Sequence, residues 1–362
     1  MVRQRRAASL PLGWALGAIV LLALLLAPLA VGASQLGLPT EVFLFALAAL
    51  TYDLIFGITG LISFGHALFV GAGAYAVAST LSGYHASLWV AMLAALLTGL
   101  GLALLTGLLA LRTRGVYFAM VTLAFAQAAF TLAESDVGHL TGGENGMPVT
   151  GGPAWLVGPD GATHFYYVAL LALVAGFLLL RLFVLSPAGR VWQAVRENEQ
   201  RARMLGYPPY LYKLLAYVIA GAIAALAGGL YALFVGDVST NLLAADTTLQ
   251  LLLMVIIGGA GSLWGAMVGA ALVRYLNHYL NVLATATFVT ALPDWLHGLL
   301  GQPLLIFGVI YLLLVFFFPQ GIAGLVQRRA HPGRPVAPRP GLAKLEPEAG
   351  GATVGGEDTN SP

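Results

Sequence analysis

Ser87-Leu-Trp-Val-Ala-Met-Leu-Ala-Ala-Leu-Leu-Thr-Gly-Leu-Gly-Leu-Ala-Leu-Leu-Thr-Gly-Leu-Leu-Ala-Leu111 contains no ionisable side chain and is followed at once by Arg112-Thr-Arg114. An α-helix needs about 20 apolar residues to cross the hydrocarbon core of a bilayer. This stretch is longer than that. Its leucines fall on every side, so no polar face is left for water. The two arginines that close it mark a cytoplasmic end, because Lys and Arg concentrate in cytoplasmic loops.

Comparable stretches recur along the chain. Spans are predicted near 12–32, 40–57, 66–81, 87–111, 116–134, 164–185, 213–236, 247–257, 263–281 and 303–318. The fold class is therefore all-α, a polytopic membrane bundle of about ten helices. The segment 247–257 is too short to cross alone, so either upstream residues extend it or the helix is broken there. Arg3, Arg5 and Arg6 precede the first span, and Arg112 and Arg114 follow the fourth. Arg190, Arg196, Arg201 and Arg203 follow the sixth, and Arg328 and Arg329 the tenth. With alternating crossings all four groups fall on one side, which places both termini in the cytoplasm. The opposite loops contain no Lys or Arg. The first span also carries marks of a signal peptide, with arginines ahead of it and small residues at Ala30–Ser34, but its apolar run favours a retained helix.

Composition agrees. Hydrophobic residues make up 59% of the chain and charged residues 9%, with a mean hydropathy of +0.87. A soluble domain carries about 25% charged residues. The net charge of +2 comes with no basic stripe, which sets nucleic-acid binding aside. The absence of cysteine excludes thiolate chemistry and disulfides. The histidines fall singly, so no metal or other cofactor is expected. The tail, 326–362, turns rich in Pro, Gly and Glu and reads as a disordered cytoplasmic segment.

Three places break the apolar pattern. Gly57-Ile-Thr-Gly60-Leu-Ile-Ser63-Phe-Gly65-His66 interrupts two spans. Non-helical backbone at membrane depth survives only where protein buries it or water reaches it. The alternatives are a short turn and a broken element beside a translocation path. Gly258-Gly259-Ala-Gly261-Ser262-Leu-Trp-Gly265 joins two further apolar stretches in a similar way, so the pair reads as a weak parallel internal repeat. Asp53 sits one turn ahead of Gly57, as either a pathway acid or a cap on the break. His66 reads as a helix-start or packing residue rather than a proton carrier.

The third place is Gly189-Arg190-Val191-Trp-Gln-Ala-Val195-Arg196-Glu197-Asn198-Glu199-Gln-Arg-Ala202-Arg203-Met-Leu-Gly206-Tyr-Pro-Pro209, the densest charge cluster in the chain. Val191, Ala194, Val195, Asn198, Ala202 and Leu205 recur at helical spacing. Gln193, Arg196, Glu197, Gln200 and Arg203 are expected on the other side. Gly206 and the prolines stop the helix. A short amphipathic helix of this kind, 189–206, suits docking into a groove on a cytoplasmic partner.

This segment resembles the cytoplasmic coupling loop of branched-chain amino acid ABC importer permeases, most nearly the LivM branch. Thr59–Ala67, Thr141-Gly-Gly-Glu-Asn-Gly146, Gly258–Gly265 and Phe318-Pro-Gln-Gly-Ile322 are similar to further motifs of that family, in the same order, over roughly 40–325. Two departures stand out. Gln200, Arg201 and Ala202 occupy the place of the broader importer loop's Glu-Ala-Ala pattern, and Asp53 stands where some members have Asn. The resemblance implies an N-terminal helix (1–39), a permease domain (40–325) and a tail (326–362). It implies a subunit in a bacterial inner membrane, paired with a second, LivH-like permease. Two cytoplasmic ATP-binding subunits and a periplasmic substrate-binding protein complete the complex. ATPase coupling then falls to Arg190, Val191, Val195, Arg196, Glu197, Asn198, Glu199, Ala202, Arg203 and Gly206. The path falls to Asp53, Gly57, Gly60, Ser63, Gly65, His66, Gly258, Gly259, Gly261 and Ser262. The chain has no phosphate-binding Gly-x-x-x-x-Gly-Lys-Ser/Thr loop of its own. Urea or a short amide is the competing cargo, and an ion-coupled secondary transporter the competing class.

Overall fold

The computed structural model describes residues 10–32, 35–136, 141–157, 161–284, 308–309, 311 and 321–324. The elements are α1 (Leu10–Ala30), α2 (Gly37–Asp53), α3 (Ala67–Ala78), α4 (Leu88–Ala110), α5 (Val116–Glu134), α6 (Ala154–Val157), α7 (Gly161–Leu185), α8 (Pro187–Glu197), α9 (Glu199–Met204), α10 (Pro209–Val235), α11 (Ala245–Gly258) and α12 (Leu263–Ala284). A two-residue antiparallel ladder pairs β1 (Met147–Pro148) with β2 (Asp237–Val238). Among the described residues, five helices are long and apolar enough to cross alone: α2 with its extension to Ile58, α4, α5, α7 and α10. The α11–α12 pair bends by 118° between Gly258 and Leu263, which is the break expected for a member too short to cross. The span expected at 303–318 falls almost wholly outside the described residues, as does the tail.

The helices meet through small residues. On α4, Ala91, Ala95, Gly99, Ala103 and Gly107 are buried at every fourth position, one face of the helix. They lie on α10, where Gly99 touches Ala225 and the Gly221 carbonyl, and Ala103 touches Gly221. Across α3 and α10, a side chain on Gly73 would strike the Ala225 carbonyl, and one on Gly228 the Val70 carbonyl. Lipid tails are as apolar as leucine, so close backbone contact replaces the hydrophobic drive. The opposite face of α4 exposes Trp89, Leu93, Leu97, Leu104 and Leu108.

α2 is buried on all sides, from Val42 to Asp53. Near its N-terminal end Glu41 pairs with Arg274 of α12, whose guanidinium lies 4.0 Å from the centre of the Phe45 ring. α1 contains Pro28, which has no N–H to offer the Leu24 carbonyl one turn back. Tyr166 of α7 supplies the missing donor, its hydroxyl lying 2.7 Å from Leu24 O.

Candidate functional site

Three sequence-distant segments converge at the C-terminal end of α2. The helix widens after Asp53 into a π-type turn, Leu54–Ile58. Such turns cluster at functional places in helices. The Thr59 hydroxyl closes the turn by donating to Leu54 O at 2.8 Å. Gly60, at φ +80°, then sends the chain into a non-helical run that ends where α3 begins.

The second segment is the turn between α11 and α12. Gly259 (φ +107°) and Gly261 (φ +88°) adopt conformations that side chains rarely enter. The Gly261 amide donates to Asp53 Oδ1 at 2.7 Å. Gly57 lies between them, and a Cβ there would land on Asp53 Oδ1 and the Gly261 nitrogen. Ser262 starts α12 by accepting from the Gly265 amide at 3.3 Å. Gly258, Gly265 and Gly269 let α11 and α12 close face to face. Gly321 packs on Gly259, and Ala323 on Gly265, so the last family-like motif reaches the same turn.

The third segment is α8. Arg196 Nη1 donates to the Gly57 carbonyl, and the Arg196 side chain covers Gly60. Burial pulls the guanidinium down from its ordinary pKa, opposed by the negative charges of Asp53 and Glu197. Asp53 is fully buried, and its Oδ2 has no hydrogen-bond partner among the described residues. The two glycine-rich breaks and α8 thus form one junction.

The remaining residues singled out along the first break serve its architecture. The Ser63 carbonyl accepts from the Tyr52 hydroxyl at 2.9 Å, and its side chain accepts from the Gly65 amide at 3.3 Å. The Thr51 hydroxyl donates to Ala48 O, so His66 Nε2, 2.8 Å from it, carries the hydrogen. Buried between Tyr52 and Phe69, His66 begins α3. Two hydroxyls that sequence reading passed over complete the set. Thr122 of α5 accepts from the Phe64 amide at 3.1 Å, and Thr248 of α11 accepts from the Ala67 amide at 2.9 Å. The only sequence signal for either was a threonine on the inward face of an apolar helix. The two breaks are not built alike, since the first is an extended run and the second a tight turn.

The segment 189–206 requires three corrections. It is two helices, not one. Asn198 leaves helical geometry (φ −156°, ψ 102°) and caps α9 by accepting from the Arg201 amide at 2.9 Å. Second, the apolar stripe does not face a partner. Val191, Val195 and Ala202 are buried against the chain itself, beside Tyr212. Trp192, also fully buried, donates from its indole to Tyr212 O at 2.8 Å. Ala194, Asn198 and Leu205 are exposed. Third, Arg196 does not join the outer polar face but turns inward to Gly57. Apolar side chains between a surface helix and the bundle gain more from burial there than from exposure to water.

The outward surface is formed by Arg190, Gln193, Glu197, Gln200, Arg201 and Arg203, with Met204 (80% exposed) and Leu205 (69%) at its tip. Glu199 is held by Lys213 at 2.6 Å and by Arg203 at 3.5 Å. Burial would raise its carboxyl pKa, but the Lys213 hydrogen bond and charge, with Arg114 and Arg203, pull it below the ordinary range. Gly206 ends α9 at φ +89°, with the Tyr207 amide returning to Ala202 O. The Thr141–Gly146 motif folds separately, around Asp136 Oδ1, which accepts from the Thr141 and Gly142 amides, both at 3.0 Å.

Comparison of the sequence with known proteins finds similarity to transport permeases. The chain is 29% identical over 270 residues to the high-affinity branched-chain amino acid transport system permease LivM of Escherichia coli, a match spanning 68% of this chain and 63% of that protein. The same figures hold for LivM of Salmonella typhimurium. LivH of Salmonella typhimurium is 25% identical over 72% of this chain and 92% of its own length. The chain thus aligns with less than two thirds of the LivM proteins' length. No solved structure matches it. A family model described as the permease component of branched-chain amino acid transport systems covers residues 34–317, and the chain belongs to that family of multi-pass, non-enzymatic membrane proteins.

Proposed function

We propose that the chain is a translocating subunit of an ABC importer for branched-chain amino acids. It works beside a second, homologous permease, receives cargo from a substrate-binding protein and is driven by two ATP-binding subunits in the cytoplasm. Both termini lie on the cytoplasmic side in this reading. The observation that carries it is the Arg196 bond to Gly57. One side chain links the cytoplasmic helix to both breaks in the membrane domain, and Asp53 ties those breaks to each other.

The outward faces of α8 and α9 seat in an ATP-binding subunit, with Met204 and Leu205 as the apolar tip and Arg201 and Arg203 as charged flanks. Val191, Trp192 and Val195 fix α8 to the bundle, so a push on the tip reaches the junction through a rigid element. Arg196 carries the displacement to Gly57 and Gly60. The first break then moves, and with it α3 and α5, which start or rest on its residues. Two packed arrangements of this region correspond to outward and inward access. Asp53, Ser63 and His66 work from within the wall, since all three are buried.

The test is a reconstituted complex in vesicles, assayed for ATP hydrolysis and for uptake of labelled leucine and urea. Arg196→Ala is expected to leave hydrolysis within about twofold of the parent while leucine uptake falls at least tenfold, the loss expected from one charged hydrogen bond. Equal uptake by parent and variant would remove the junction from the coupling route. Urea uptake in place of leucine would reassign the cargo.

A further inference from the structure

Four described single-span helices show part of their surface outside the bundle: α4, α5, α7 and α10. Along α4 the midspan exposed side chains are Leu93, Leu97 and Leu104, and along α7 they are Leu171 and Leu178. On α10 the exposed side chains are Leu211 and Leu215 in its first two turns and Val235 at its last residue. These are hydrocarbon surfaces, suited to acyl chains. α5 differs. Met120, Ala124, Gln127 and Thr131 are all exposed, and their spacing puts them on one stripe. Gln127 lies about 16 Å along the helix from Val116 at 1.5 Å per residue, near the middle of the bilayer. Its carboxamide makes no hydrogen bond among the described residues. An unsatisfied amide has no place against lipid tails.

The inner face of α5 rests on the first break. Thr122 accepts from the Phe64 amide, and Gly65 packs on the Thr122 carbonyl so closely that no side chain would fit. The helix with an exposed midspan amide is therefore the helix seated on the segment that Arg196 holds at its other end.

We propose that the Met120–Ala124–Gln127–Thr131 face of α5 lines the water-filled path, and that the Gln127 carboxamide hydrogen-bonds the ammonium or carboxylate of a zwitterionic cargo as it passes. This rests on the importer reading above, with the second permease forming the facing wall. A neutral amide both donates and accepts, so it offers each end of a zwitterion a partner without the charge that would trap it. Ala124 leaves room beside it, and motion of the first break tilts the whole face.

The chain has no cysteine, so single-cysteine variants report one position each. In the assembled complex in nanodiscs, Gln127→Cys and Thr131→Cys are expected to react with a charged, membrane-impermeant methanethiosulfonate, whereas Leu97→Cys and Leu178→Cys stay inert. Gln127→Leu is expected to lower leucine uptake about tenfold, the size of one hydrogen bond to a charged group, with ATP hydrolysis retained. If Gln127→Cys is as inert as Leu97→Cys, lipid or dry protein covers the face and the proposal is overturned. Leucine and urea uptake by the cysteine-free parent are measured in the same preparation. Absence of both leucine and urea uptake sinks the importer reading, whereas leucine uptake alongside an inert position 127 sinks only the path assignment.

Discussion

Gly57 owes its identity to its neighbours, because the space a methyl group would fill holds the Asp53 carboxylate and the Gly261 nitrogen. Gly57→Ala is expected to push the two breaks apart and lower the melting temperature of the purified protein. Asp53→Asn keeps an oxygen for the Gly261 amide and is expected to melt close to the parent. Asp53→Leu strands that amide and is expected to cost about 1–3 kcal/mol, the penalty of a buried unpaired donor. Thermal unfolding in detergent checks all three, and an Asn variant as unstable as the Leu variant would show that the charge matters more than the acceptor. The sequence allowed two readings of Asp53, a pathway acid or a cap. Its carboxylate accepts from the Gly261 amide, 208 residues away, rather than from its own break. Glycine clusters announce an irregular backbone through their dihedral freedom, whereas nothing in their spelling says which cluster faces which.

Between the sixth and seventh expected spans, helical periodicity, the Gly206 stop and the amphipathic character were all legible. The break at Asn198 was not, because the helical pattern runs through it unbroken, although Asn is among the residues that favour a helix cap. Asn198→Ala removes the acceptor for the Arg201 amide and is expected to destabilise α9 by about 0.5–2 kcal/mol. Amide hydrogen exchange over 199–204 should quicken while 187–197 remains protected by Trp192. Uniform change across both helices would mean that they open as one unit. The destination of the stripe was hidden for a different reason. Periodicity identifies a face that must be covered but carries no record of what covers it, and here Tyr212 and the bundle do.

For the whole molecule, nine of the ten expected spans coincide with described helices, because apolar runs are visible in composition, but only five of those helices are long and apolar enough to cross alone. Their pairing was less accessible, since leucine, alanine and glycine recur in every helix. The fourth-residue repeat of small side chains on α4 gains its meaning only from the buried face it forms. Gly228→Leu is expected to force α10 away from the Val70 carbonyl and shift the protein toward aggregates on size-exclusion chromatography, and a monodisperse peak with unchanged melting would contradict that packing. The outermost helix illustrates how a flaw in one element becomes an attachment for another. Proline at position 28 deletes a rung of its ladder, and the vacated oxygen anchors a phenol on α7. Severing the chain ahead of residue 35 would maroon that phenol inside the apolar layer, so damage at the amino-terminal edge would be felt as loosening in a helix more than a hundred residues downstream.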